Sequence, residues 1–180
     1  HIHAPLDAYA ALAERHQLSP SSVESVEVHT YSATFNISNL PAPRNLVEAQ
    51  YSVPFCIAAL ALRGKEALVP IDVSAIDDPA VRAFAGRVTI HRDAAIEPMF
   101  PAKSPARVVV ISSGRQFESP VTMPRGDPAD PLSWSDLREK FVTATRHALS
   151  PVRQRNLLDA VERLRDGSLR PLRAALGAAL

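Results

Sequence analysis

Cysteine is almost missing from this 180-residue chain, which carries a single thiol at Cys56. An intrachain disulfide within these residues is excluded, and a reducing, cytoplasmic location is the expectation. Glycine is scarce, with 6 residues, and none is spaced as in a phosphate loop or a dinucleotide fingerprint. No Gly-x-Ser-x-Gly element and no zinc-ligand spacing occurs, so no metal is expected. Aromatic residues make up 6%, which demands an aliphatic core. An excess of either charge is also lacking: 20 Lys and Arg face 19 Asp and Glu, for a net charge of +1. Without a basic cluster beyond the C-terminal arginines, the sequence argues against a nucleic-acid partner. Signal-peptide and membrane-spanning patterns are absent as well, so no membrane partner is expected.

Proline is plentiful, at 16 residues, and implies many fixed loops. The longest weakly charged run is Asn45 to Gly64, NLVEAQYSVPFCIAALALRG, with no ionised side chain between Glu48 and Arg63. Its apolar residues exceed what one amphipathic face needs, which places it in a core or between layers. Pro54 lacks a backbone donor and should kink or restart the helix. The run approaches the length of a membrane span, but Pro54, Gln50 and Ser52 favour a buried soluble helix.

Around this stretch the pattern is regular. Pro5 to Arg15 reads as a helix with Leu6, Tyr9, Ala10 and Ala13 on its buried stripe. Val23 to Tyr31 alternates, with Val26 and Val28 on one face and Ser25, Glu27 and His29 on the other, a half-buried strand. Ser32 to Pro43 is a long polar loop of the kind that often carries function. Asp78-Pro79 is a helix start leading to Gly86. Arg87–Asp93, Arg107–Ser112 and Gln116–Met123 read as three further strands, the last two joined by a tight turn at Ser113-Gly114 and so antiparallel. Ser133 and Asp136 resemble a capping box at the head of a helix. Further helices start at Ser150-Pro151 and span Leu169 to Leu180. The order implies an α+β fold: an antiparallel sheet of about four strands with helices on one face, then C-terminal helices. The boundary is set at 132, giving an α+β unit over 1–132 and a helical tail over 133–180. That tail is too apolar to be merely solvated and should pack on another domain. The chain also begins abruptly at His1, which suggests a piece of a longer polypeptide.

Few residues are candidates for chemistry. His1-Ile2-His3 offers two imidazoles, a residue type that can serve as acid or base near neutral pH. An exposed terminus accounts for His1 more readily than for His3, which makes His3 the catalytic candidate. His16, His29, His91 and His147 sit on polar faces and read as solvated. Cys56, in the apolar helix, reads as a buried inert thiol. The Gly126-Asp127-Pro128 loop reads as a structural turn, beside which Arg125 can present a guanidinium to a carboxylate.

Taken in order, HIHAPLDAYAAL, SVESVEVHTY, EAQYSVPFCIAALAL, DPAVRAFAGRVTIHRD, MPRGDPADPLSWSDLREKF and the closing leucine-rich helix resemble the C-terminal part of the MmgE/PrpD family. That family includes 2-methylcitrate dehydratase, cis-aconitate decarboxylase and iminodisuccinate epimerase. The resemblance implies a two-domain enzyme with an all-helical domain, a smaller α+β lid and a site in the cleft between them. This chain would supply the lid and the helices returning to the helical domain, which is missing from it. The resemblance further implies a small di- or tricarboxylate substrate, no cofactor, and a homodimer. His3 matches a histidine of the segment entering the lid, and Gln50, Tyr51 and Ser52 align with the family motif as candidate substrate contacts. Phe55 stands where cis-aconitate decarboxylase and many relatives have tyrosine, so a hydroxyl is lost there. The implied chemistry removes a proton next to a carboxylate and stabilises the developing charge; dehydration is the reaction expected first.

Overall fold

The computed structural model describes residues 1–177. The chain forms two compact units, the first from His1 to Pro131 and the second beginning at Leu132. Within the first unit, α1 (His3–His16), α2 (Leu46–Gln50), α3 (Val53–Arg63) and α4 (Pro79–Ala85) accompany four strands, β1 (Val23–Thr30), β2 (Val88–Arg92), β3 (Arg107–Ser112) and β4 (Arg115–Glu118). The sheet order is β2-β1-β3-β4. The α+β class expected from the element order is what the chain adopts.

One pairing differs from the expected all-antiparallel sheet. β1 and β3 run antiparallel, as do β3 and β4, but β1 and β2 are parallel, with Val26 opposite Val88 and Val28 opposite Ile90. The physical reason is the connection. β3 and β4 are joined by the two-residue turn Ser113-Gly114, both with positive φ, and such a turn enforces reversal. β1 and β2 are separated by three helices, and a helical crossover returns the chain in the same direction. β4 also stops at Glu118 rather than running to Met123. Pro120 has no donor for the ladder. Ser119 substitutes there: its amide donates to the Val108 carbonyl and its hydroxyl accepts from the Val108 amide, 2.9 Å each, and pairing resumes only as a bridge between Ala106 and Thr122.

The core is aliphatic, as the scarcity of aromatics requires. Val26 and Val28 of β1 share a face with Val108 and Val110 of β3, and all four are fully buried. Beneath them lie Ala4, Ala8 and Leu12 of α1 and Val53, Phe55, Ile57 and Ala58 of α3, with Val81 and Phe84 of α4 in the same cluster. Each valine taken fully out of water contributes roughly 1.5–3 kcal/mol. The opposite face of the sheet keeps polar groups: His29 stacks on His91 at 5.2 Å, with Glu27 3.3 Å from His29 and Thr89 2.9 Å from His91.

The central apolar stretch is two helices, broken at Tyr51-Ser52, with Pro54 in the first turn of the second. Each helix is capped by a side chain, Asn45 for α2 and Ser52 for α3. Cys56 ties the pieces together through a thiol contact to the Ala49 carbonyl at 3.4 Å, and burial pushes its pKa up to about 12. At the far end, Arg63 grips Asp72 at 2.8 Å and Asp78 at 2.7 Å, while Asp78 caps α4 through the Ala80 amide.

The second unit contains α5 (Trp134–Thr145), α6 (Pro151–Glu162) and α7 (Arg170–Gly177). The expected capping box is present in full, with Ser133 and Asp136 each bonded to the other's backbone amide. Gln154 of α6 is buried and donates to the Val142 carbonyl and the Thr145 hydroxyl, 2.9 Å each, which fastens α6 to α5. Leu137, Val152, Leu169 and Leu176 are exposed. The last leucine of the expected final helix, Leu180, lies outside the described residues. Among the described residues, no helix is long and apolar enough to cross a membrane.

Candidate functional site

The long polar loop after β1 is where the first unit concentrates its side-chain hydrogen bonds. It opens with a short helical turn, Ser32–Asn36, whose start is held by Glu97: the carboxylate takes the Ser32 amide at 2.8 Å and the Arg92 guanidinium at 3.0 Å. Bonding from the Ser32 hydroxyl is the largest cause that holds Glu97 below the usual carboxylate range. The loop then folds over the junction of α2 and α3. Asn39, at a left-handed φ of 47°, donates its amide to the Tyr51 carbonyl at 2.9 Å and accepts from the Val53 amide at 3.2 Å. Its side-chain NH₂ reaches back to the Thr34 carbonyl at 2.8 Å. A short polar side chain that tolerates left-handed backbone is what such a clamp needs.

This clamp decides what each candidate residue of the junction is placed to do. Ser52 is fully buried; its hydroxyl donates to the Leu40 carbonyl at 2.6 Å and accepts from the Phe55 amide at 3.1 Å. Its one proton is thus engaged inside the protein. Phe55 is fully buried within the core cluster. Gln50 is exposed, and Tyr51 is about half exposed, at 52%. Of the four junction candidates, Gln50 and Tyr51 therefore reach the surface, whereas Ser52 and Phe55 shape the junction from inside.

The two N-terminal imidazoles are placed differently. His3 begins α1, is exposed, and has no hydrogen-bond partner among the described residues. One turn on, at a position that shares its side of the helix, Asp7 accepts the Arg125 backbone amide at 2.9 Å. The loop carrying Arg125 is thereby brought to the same side of α1 as His3. His1 is exposed as well, but its ring makes side-chain contacts. Its Nδ1 lies 3.2 Å from the Thr34 hydroxyl, and its ring packs on Tyr31 at 5.4 Å and on Phe100 at 6.2 Å. Tyr31 and Phe100 themselves stack at 4.4 Å, 11° from parallel. Thr34 is fully buried, contacts the Thr30 hydroxyl at 3.4 Å, and Thr30 donates to the Pro105 carbonyl at 3.2 Å.

Tyr31 adds a further feature. It is 1% exposed, and its hydroxyl has no hydrogen-bond partner among the described residues. A buried hydroxyl in that condition costs about 1–3 kcal/mol. Native structures tolerate few such groups, and functional sites are among the places where they occur.

The structure thus joins His1 to the α2–α3 junction through one loop, since Thr34 touches His1 and Asn39 bonds both Thr34 and Tyr51. The Arg125 backbone is tied to Asp7 of α1, one helical turn from His3. Reading by motif missed Tyr31, Thr34, Asn39 and Phe100. The one signal that pointed to them was the length and polarity of the loop from Ser32 to Pro43. Among the described residues, no group of three or more His, Cys, Asp or Glu side chains is arranged to hold a metal ion.

Chemically, this arrangement presents an imidazole with one nitrogen held, flanked by a buried phenol and a threonine pair. Such a group can move a proton at its other nitrogen. Residues 1–166 match a family described as the MmgE/PrpD C-terminal domain. No curated protein matches the chain.

Proposed function

The chain belongs to the MmgE/PrpD family, and from that premise we propose that it is the lid portion of a cofactor-independent lyase acting on small di- or tricarboxylates, dehydrating a substrate such as 2-methylcitrate. The observation that carries this reading is the family match across residues 1–166. The site geometry supports it. Removal of a proton next to a carboxylate needs a positioned base, and the His1–Ile2–His3 segment provides two imidazoles. His1 is held by Thr34, and His3 stands exposed on the side of α1 that holds the Arg125 loop. The developing enolate-like charge needs donors, for which Arg125, Tyr51 and Gln50 are the candidates on this chain. Phe55 has no hydroxyl to offer, which favours dehydration over the decarboxylase reaction.

On this reading the helical tail packs on an all-helical domain of the same polypeptide. The large apolar residues left exposed on this tail, Leu137, Val152, Leu169 and Leu176, support that. The rest of the site then lies on that domain, and the 180 residues alone are inactive. Assays of the full polypeptide and of the 180-residue chain with 2-methylcitrate, citrate and cis-aconitate test both statements. Turnover by the full polypeptide alone is the expected result. Turnover by the short chain would refute the lid assignment, and no turnover of any polycarboxylate by the full polypeptide would refute the lyase assignment.

A further inference from the structure

Three hydroxyl and imidazole groups at the end of β1 form a relay whose direction can be worked out from its last member. The Pro105 carbonyl can only accept, so the proton of the Thr30 hydroxyl is committed to it, at 3.2 Å. Thr30 then faces Thr34, at 3.4 Å, with lone pairs only. If Thr34 gave its proton to His1, two oxygens without a proton between them would be left facing each other in a place closed to water, since Thr30 is 1% and Thr34 0% exposed. If Thr34 gives its proton to Thr30, each contact has one donor and one acceptor. Thr34 must then accept from His1 at 3.2 Å, which requires the proton on Nδ1.

We propose that Thr34, backed by Thr30 and the Pro105 carbonyl, is a positioning residue that fixes His1 as the Nδ1–H tautomer and leaves Nε2 bare as a proton acceptor. The inference rests on the reading of His1 as an acid–base group for its meaning, but not for its test. A free histidine side chain favours the opposite tautomer, with the proton on Nε2, so the relay imposes a state that the residue would not choose alone. The Tyr31 and Phe100 rings, stacked on each other, lie tilted against one side of the imidazole at 5.4 and 6.2 Å. An imidazole fixed in this way needs no reorientation before it takes a proton, which is how a second residue serves a catalytic one.

The tautomer is read directly by long-range ¹H–¹⁵N spectra of the protein labelled at histidine, with the His1 signals assigned by loss in His1→Gln. The expected wild-type pattern has Nδ1 at the protonated-nitrogen shift and Nε2 at the unprotonated one. Thr34→Val, which keeps the shape and removes the hydroxyl, should move the pattern toward Nε2–H. Thr34→Ser should restore the wild-type pattern, which a purely steric role would not predict for the smaller side chain. Nε2–H in the wild-type protein overturns the proposal, whether or not any variant folds. An unchanged pattern in a folded Thr34→Val also overturns it. None of these spectra involves a substrate, so failure of the lyase assignment and failure of the relay are separate results.

Discussion

Replacing Ser52 by alanine separates a structural from a substrate-binding role at the centre of the chain. The hydroxyl makes two bonds within the protein, one to the Phe55 amide at 3.1 Å and one to the Leu40 carbonyl at 2.6 Å. Losing the first removes the N-cap of α3, worth about 1 kcal/mol. Losing the second leaves a carbonyl without its donor, at a cost of about 1–3 kcal/mol if it stays dry. Leu40 is 38% exposed, so water can reach that segment and the low end applies. The sum is about 2 kcal/mol. For a unit of this size it corresponds to a fall in Tm of roughly 6–10 °C. Urea unfolding of wild type and Ser52→Ala, followed by circular dichroism, measures the difference. With the full polypeptide, KM for the polycarboxylate should change little at temperatures well below the new Tm. A stability loss under about 0.5 kcal/mol, the range of an ordinary surface substitution, together with a large rise in KM, would refute the reasoning and return Ser52 to the substrate.

Other outcomes follow from the same geometry. Tyr31→Phe removes a hydroxyl that has no partner among the described residues, so stability should hold or rise by about 1 kcal/mol; a loss of that size would contradict an unpartnered hydroxyl. Ile57→Ala, in the fully buried part of α3, should cost about 2–5 kcal/mol in the same urea titration, and a cost below 1 would show that the core is loosely packed there. Asp78, held below the usual carboxylate range chiefly by the Arg63 side chain, contributes stability that is fully present above its ordinary value of 3.8 and is lost as the pH falls through its lower folded value. Asp78→Asn should therefore flatten the acid limb of stability against pH and leave the neutral region lower; an unchanged acid limb would contradict the clasp. The Cys56 thiol should resist alkylation at pH 8 in the native protein and react at once in denaturant, and fast labelling of the folded chain would show that α3 opens.

Much of the fold was legible because local chemistry dictated it. Pro54 implied a kink or restart of the helix, and the structure shows a restart, capped by Ser52. Asp78-Pro79 and Ser133 with Asp136 marked helix starts that the chain uses. The alternation in Val23–Tyr31 assigned Val26 and Val28 to the buried face. The parallel pairing of β1 and β2 was not legible, because it depends on how three helices carry the chain across the sheet and on no residue within either strand. The fourth strand was legible but its early end at Glu118 was not, since a serine side chain can replace a backbone partner, which composition does not reveal.

The site was less legible than the fold. His3 and Arg125 were chosen by residue type, and nothing in their spacing shows that both relate to Asp7. Thr34 and Thr30 differ in no local way from other threonines. Only the three-dimensional path of the loop, held by Asn39, sets Thr34 against His1, and only the pairing of β1 with β3 brings Thr30 to Pro105. Tyr31 looked like the last residue of an alternating strand, and its unpartnered hydroxyl emerges only once all its neighbours are known.

The most direct test of the account is the turnover of 2-methylcitrate by the full polypeptide, comparing wild type with His1→Gln and His3→Gln. The account predicts release of the unsaturated tricarboxylate by the wild type without added cofactor, and a large loss of turnover in at least one of the two variants. Wild-type turnover left intact by both substitutions would contradict the claim that this segment supplies the acid–base group.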